Sequence, residues 1–387
     1  MKALRAGINQ YNDSSVTHEG KMDITPSVGY FVFKGRDATM HMADALISPT
    51  VGFTMMAVTA GLAAYSIKKI QNDIDEKKIP MMGVLGAFVF AAQMINFTIP
   101  ATGSSGHLGG GILLTALLGP YAGFLAMASI LLIQALFFGD GGLLAYGCNV
   151  FNMGFYTCFI AYPYIYKLIT RKGLNSHNIF MSAMISAVIG LQLGAFSVVL
   201  ETLFSGKTEL PFNTFVMLMQ PIHLAIGIVE GLVTASIINF VWKARPELLE
   251  KVSAGEAFGA LYLNRVLKGF LVAAIIVGGA LSWFASANPD GLEWSMKQVA
   301  GTTELSTSDE MHQLFSAIQE KTAFLPDYNF KVTDDLSTSE NDSTWPAVNM
   351  GTSVSGLIGG VMTFALAGLI GLIISLIKRR EDVSASK

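Results

Sequence analysis

Long apolar runs constrain this 387-residue chain more than any other feature. They lie near 49–67, 81–97, 107–119, 121–138, 147–169, 179–204, 213–242, 266–287 and 353–377. A helix needs roughly 20 predominantly apolar residues to cross a hydrocarbon core. A helix is also the form in which a single segment satisfies its own backbone polar groups there. Charged residues make up 14% of the chain, against about 25% in a soluble domain. The sequence therefore predicts an all-α integral membrane protein with about nine transmembrane helices. Segment 107–119 is too short to cross alone, which is tolerated where an irregular flank is buried in protein.

Basic residues set the expected orientation. Lys68, Lys69, Lys77 and Lys78 separate the first two runs, and Lys167, Arg171 and Lys172 follow the fifth. Lys243, Arg245, Lys251, Arg265 and Lys268 lie between the seventh and eighth, and Lys378, Arg379 and Arg380 follow the ninth. If nine spans alternate, all four clusters share one side, which is then the cytoplasm. The start of the first helix is expected outside and the C-terminus in the cytoplasm. Met1 to Thr39 is polar, lacks an apolar core of signal-peptide length, and is expected to be poorly ordered. Cys148 and Cys158 suggest neither a disulfide framework nor a CxxC metal site. The chain has no GxxxxGK[ST], HExxH or GxSxG string, so no nucleotide-hydrolysing module of its own is expected. Membrane lipid is the expected surrounding, with no nucleic-acid partner.

Polar residues gather on the side opposite the basic clusters. Met40-His41 precedes the first run. Were Met40 the first residue, its α-amine, the next backbone nitrogen and the His41 imidazole could chelate one metal ion. His107 sits in the glycine-rich stretch 102–111, which reads either as backbone passing close to something or as a flexible hairpin. Asp140, Asn149 and Asn152 lie in the apolar stretch 134–154, with Gln93 and Asn96 at the end of the second run. Such groups either support a metal ligand or tie helices together. Glu201, His223 and Glu230 are ionisable groups inside runs. His223 and Glu230, seven apart on one helical face, read as a buried structural pairing rather than as ligands. His18, His177 and His312 read as solvated. An all-nitrogen tetragonal donor set suits Ni(II) or Cu(II), with Co(II) also allowed. Its affinity should fall as pH drops below the α-amino pKa of about 8.

At these residues the chain resembles the CbiM/NikM family, the substrate-capture components of energy-coupling factor transporters for cobalt and nickel. The similar strings are Met40 to Pro49, Ala91 to Phe97, Gly103 to Gly110, Gln134 to Gly154 and His223 to Gly231. The resemblance implies metal ligands from Met40, His41 and His107, oriented by polar groups among Gln93, Asn96, Ser104, Ser105, Asp140, Asn149 and Asn152. It also implies Co²⁺ or Ni²⁺ as cargo, no permanent cofactor, and no enzymatic activity in this chain. Its implied partners are an energy-coupling transmembrane component and cytoplasmic ATPase subunits in the cytoplasmic membrane. Asn288-Pro-Asp-Gly-Leu-Glu293 resembles the PDGLE signature of the CbiN/NikN-like part, two helices joined by an extracytoplasmic loop. The expected organisation is an extension at 1–39, a metal-capture domain at 40–245 and a linker at 246–265. A PDGLE part at 266–380 and a tail at 381–387 complete it. Because residues 1–39 would block the Met40 amine, synthesis is expected to begin at Met40; the alternatives are removal of the extension or a site that works with fewer ligands. Two rival readings are a secondary transporter or channel for another solute, and a membrane metalloenzyme using His107, Asp140 and His223.

Overall fold

A computed structural model describes residues 40–71, 76–259, 261–307, 309–331 and 345–385, which belong to one compact unit. The expectation for Met1 to Thr39 falls outside the described residues. After a single helical turn at Asp44–Leu46, helix α1 spans Pro49–Ile70. Its start is written in the sequence: Ser48 Oγ accepts the Val51 amide, and Pro49 fills the first helical position. Helix α2 (Lys78–Gln93) leads into a hairpin of β1 (Phe97–Ile99) and β2 (Ser104–Gly106), antiparallel with Phe97 opposite Gly106. Next come α3 (Gly111–Leu118) and α4 (Pro120–Ile133), the latter continuing through a wider turn at Gln134–Phe138. They are divided at Gly119, whose φ of 87° suits glycine, and Pro120 starts the second. Helix α5 begins at Tyr146–Val150 and continues, more loosely wound, through Phe151–Tyr166 to Lys167–Thr170.

Two long helices follow, α6 (Ser176–Phe204) and α7 (Phe212–Ala244), packed along each other, then the short α8 (Pro246–Ala254). The remainder is α9 (Asn264–Gly279), α10 (Gly291–Ala300), α11 (Glu310–Thr322) and α12 (Met350–Ala385). Every apolar run expected to be a span contains helix. Among the described residues, five helical segments are long and apolar enough to cross a membrane: Pro49–Ile70, Pro120–Phe138, Ser176–Phe204, Phe212–Ala244 and Met350–Arg380. Lys78–Gln93 is apolar but shorter.

Helix α2 is the hub. It is apolar on every face and buried almost throughout, as an interior helix should be. Helices α9 and α12 pack on it, so the C-terminal pair is joined to the earlier bundle. Small residues make this approach close: Gly83 and Gly86 lie against Phe364 and Thr363, and Gly278 of α9 meets Gly356 of α12 backbone to backbone. In lipid, where tails are as apolar as leucine, such close contact supplies the dispersion energy for helix association.

Candidate metal centre

The segment before α1, the start of α3, the first half of α5, the middle parts of α6 and α7, and the start of α10 line a cavity of about 100 Å³. His41 and His107 line it, with ring centroids 5.2 Å apart. Each ring has one nitrogen committed. His107 Nδ1 lies 2.9 Å from Asp290 Oδ2, and His41 Nε2 lies 2.9 Å from Gln134 Oε1. Gln134 Nε2 donates to Gln93 Oε1 at 2.9 Å, and Gln93 Nε2 donates to the Gly109 carbonyl at 2.9 Å.

That relay has one polarity. A backbone carbonyl can only accept, so the Gln93 amide NH₂ must face Gly109 and its oxygen must face Gln134. The same step repeated turns the Gln134 oxygen toward His41, so His41 carries its proton on Nε2. His107 likewise donates Nδ1–H to the Asp290 carboxylate. The unshared pairs are then on His41 Nδ1 and His107 Nε2, the form in which imidazole binds a metal.

The Met40 and His41 backbone nitrogens turn to one oxygen, donating to Asp140 Oδ1 at 2.8 and 3.2 Å. Tyr328 Oη donates to the other oxygen, Oδ2, at 2.5 Å. Burial and the Asp140 charge push the Tyr328 hydroxyl above its usual range, so it stays a donor. Asn149 pins the next residue from both sides, its Oδ1 accepting the Met42 amide at 3.0 Å and its Nδ2 donating to the Met42 carbonyl at 3.0 Å.

The glycine-rich loop is a close approach rather than a flexible hairpin. Gly109 and Gly110 amides both donate to the Glu230 carboxylate, each at 3.0 Å. Gly110 adopts φ 76°, and a Cβ there would collide with Val89. Glu230 thus anchors the loop that presents His107, rather than pairing with His223. His223 bonds its own helix through Met219 O at 2.8 Å, while its ring also lines the cavity.

The remaining expected residues divide. Asn152 lines the cavity but donates to Glu201 at 2.8 Å. Ser104 and Ser105 turn away from the histidines, with Ser105 donating its amide and its hydroxyl, both at 2.8 Å, to Pro289 and Asn288 carbonyls. Asn96 Oδ1 has no hydrogen-bond partner among the described residues. One reading is corrected: His312 is buried, not solvated, with Nε2 within 3.0 Å of the Asp44 and Ile47 carbonyls. His177 is exposed as expected.

The sequence reading passed over Gln134, Asp290 as the partner of His107, and Tyr328. Gln134 carried the same signal as Gln93, an amide inside an apolar run. Asp290 lay in the PDGLE string but carried no sign of contact with His107, and Tyr328 sits in polar sequence with no local signal. Asp290 begins α10 with a capping box, its side chain accepting the Leu292 amide at 2.8 Å. Burial raises the Asp290 pKa, but the His107 hydrogen bond and charge and the Leu292 amide leave it below the usual value. Burial lowers the His107 pKa, but Asp290, with Asp140 and Glu230 behind it, brings it above the usual value. Among the described residues, no three His, Cys, Asp or Glu side chains gather as a metal-holding group.

Fold and site together define a multi-pass, all-α membrane protein enclosing a small histidine-bearing cavity. The chain belongs to the family described as cobalt uptake substrate-specific transmembrane region, whose model matches residues 41–248, and a PDGLE domain matches residues 264–376. A protein of Archaeoglobus fulgidus named for fused nickel transport is 31% identical over 327 residues, covering 84% of this chain and 96% of its own length. The fused nickel transport protein NikMN of Rhodobacter capsulatus is 32% identical over 54% of this chain and 64% of its own. The cobalt transport protein CbiM of Geobacter sulfurreducens is 25% identical over 60% of this chain and 68% of its own. This chain is accordingly a metal transport protein rather than an enzyme.

Proposed function

We propose that the chain is the substrate-capture component of an ATP-driven energy-coupling factor importer for Co²⁺ or Ni²⁺. It takes the ion at the outer face of the cytoplasmic membrane. A separate transmembrane component and cytoplasmic ATPase subunits supply the energy. The observation that carries this reading is the facing pair of imidazoles, each with its proton fixed on the far nitrogen by a buried acceptor. The donors are the Met40 and His41 backbone nitrogens, His41 Nδ1 and His107 Nε2. The convergence of the two backbone nitrogens on Asp140 supports this, because a two-nitrogen chelate needs them on one side. A free Met40 amine completes the set, so full affinity belongs to a chain starting at Met40. The 288–291 turn, reaching His107 through Asp290, assists loading.

Uptake of labelled nickel or cobalt in cells holding the partner subunits tests the reading. His107→Ala abolishes high-affinity uptake while the protein stays in the membrane, and deleting the ATPases does the same. Unchanged uptake in the variant rejects the site. Uptake that persists without ATPases favours the secondary-transporter reading instead.

A further inference from the structure

A second cavity, of about 810 Å³, opens between the end of α7 and the start of α9, with Phe88 of α2 at its back. Its walls are apolar, with Phe240 and Val241 on one helix and Phe270 on the other. Phe240 is 74% exposed, and a Cβ built on Gly269 would meet nothing within 4 Å. Arg245 and Arg265 line the same cavity where the two helices end and begin, and among the described residues no carboxylate lines it. Neither guanidinium makes a hydrogen bond or an ion pair among the described residues.

Two unneutralised cations beside an apolar cleft of a membrane protein call for an anion that carries hydrocarbon. Guanidinium matches phosphate oxygens two at a time, and basic pockets between helices at the membrane edge are a recurring phospholipid-headgroup site. A free anion would leave the aromatic walls wet. A zwitterionic lipid would bring a further positive charge to two arginines. We propose that this cleft binds one anionic glycerophospholipid, its phosphate held by Arg245 and Arg265 and an acyl chain laid along Phe88, Phe240 and Phe270. The lipid would bridge α7, inside the family-matched region, and α9, inside the PDGLE domain.

Native mass spectrometry of the full chain, delipidated in mild detergent and titrated with phosphatidylglycerol or phosphatidylcholine of identical chains, tests this. One phosphatidylglycerol is expected to be retained in preference to phosphatidylcholine. The Arg245→Gln/Arg265→Gln double variant should bind it at least about tenfold more weakly. Gly269→Trp, which fills the cleft and leaves both arginines, should also lose it, and it carries the test if the double variant fails to fold. Equal retention of the two lipids, or wild-type retention in both variants, would mean annular lipid only and overturn the proposal. Displacement by glycerol phosphate at matching concentration would overturn it in favour of a simple anion site. A co-purifying polypeptide displaced by Gly269→Trp, with no lipid retained, would overturn it in favour of a protein interface.

Discussion

Replacing Gln134 by Leu breaks the relay that assigns the His41 proton. The wild-type chain of contacts runs from His41 Nε2 to Gln134, to Gln93 and to the Gly109 carbonyl, each link 2.9 Å. Leucine leaves the His41 N–H and the Gln93 oxygen without partners in a site where both residues are buried. An unsatisfied buried polar group costs about 1–3 kcal/mol, so the His41 proton moves to Nδ1 or the ring turns. Either result withdraws the donor pair from the cavity. Loss of an orienting partner of this kind weakens metal binding about 10- to 100-fold. Isothermal titration of purified Gln134→Leu with Ni²⁺, on a chain starting at Met40, reads the change directly. Gln134→Glu keeps an oxygen facing His41 and is expected to retain most of the affinity, though it disturbs the bond to Gln93. Wild-type affinity in Gln134→Leu, or equal losses in both variants, refutes a relay-fixed tautomer.

Other consequences follow from the same geometry. His41→Ala and His107→Ala each reduce bound metal to background on equilibrium dialysis, while His177→Ala, at an exposed position, leaves it unchanged. Gly110→Ala forces a Cβ into a left-handed position against Val89, and should lower thermal stability by about 1–3 kcal/mol and weaken metal binding with it. The His107–Asp290 contact is bounded by pH on both sides. His107, raised, supports the folded contact fully below its unfolded pKa of about 6.5 and loses it as pH climbs through the raised value. Asp290, lowered, supports it above about 3.9 and loses it as pH falls through the lowered value. Protection from hydrogen exchange over 288–296 in the metal-free protein, relative to the base-catalysed intrinsic rate, should therefore be greatest in mildly acidic buffer and fall toward alkaline pH; a flat protection profile would contradict the pairing. Asp290→Ala should quicken that exchange at every pH and slow metal loading more than it weakens final affinity, as stopped-flow binding would show.

Much of the fold was legible because lipid simplifies it. The apolar length that places α6, α7 and α12 is a property of a single segment, as is the Gly119-Pro120 break. Residues singled out for cost do find partners, as a polar group in an apolar run must: Asn149 lines the cavity, Gln93 bonds the Gly109 carbonyl and Asp140 the Met40 and His41 amides. What each partner is was not legible. Glu230 had seemed the mate of His223 because both share a helical face, yet two glycine amides on another element claim it. His312 and Tyr328 sit in polar sequence that carries no sign of burial, and their contacts with Asp44 and Asp140 join residues far apart in the chain. Ser104 and Ser105 lie beside His107 in sequence but serve the 288–290 turn, a distinction that only three-dimensional register reveals.

The central claim is an all-nitrogen metal site built from two imidazoles and two backbone nitrogens. X-ray absorption at the metal edge, on purified chain starting at Met40 and loaded with one equivalent of Ni²⁺ or Co²⁺, tests it most directly. The account predicts a nitrogen-only inner shell with the outer scattering of two imidazoles, and loss of that signal with the bound metal in His107→Ala. A shell containing sulfur, an oxygen-only shell, or an unchanged imidazole signal in that variant would contradict it.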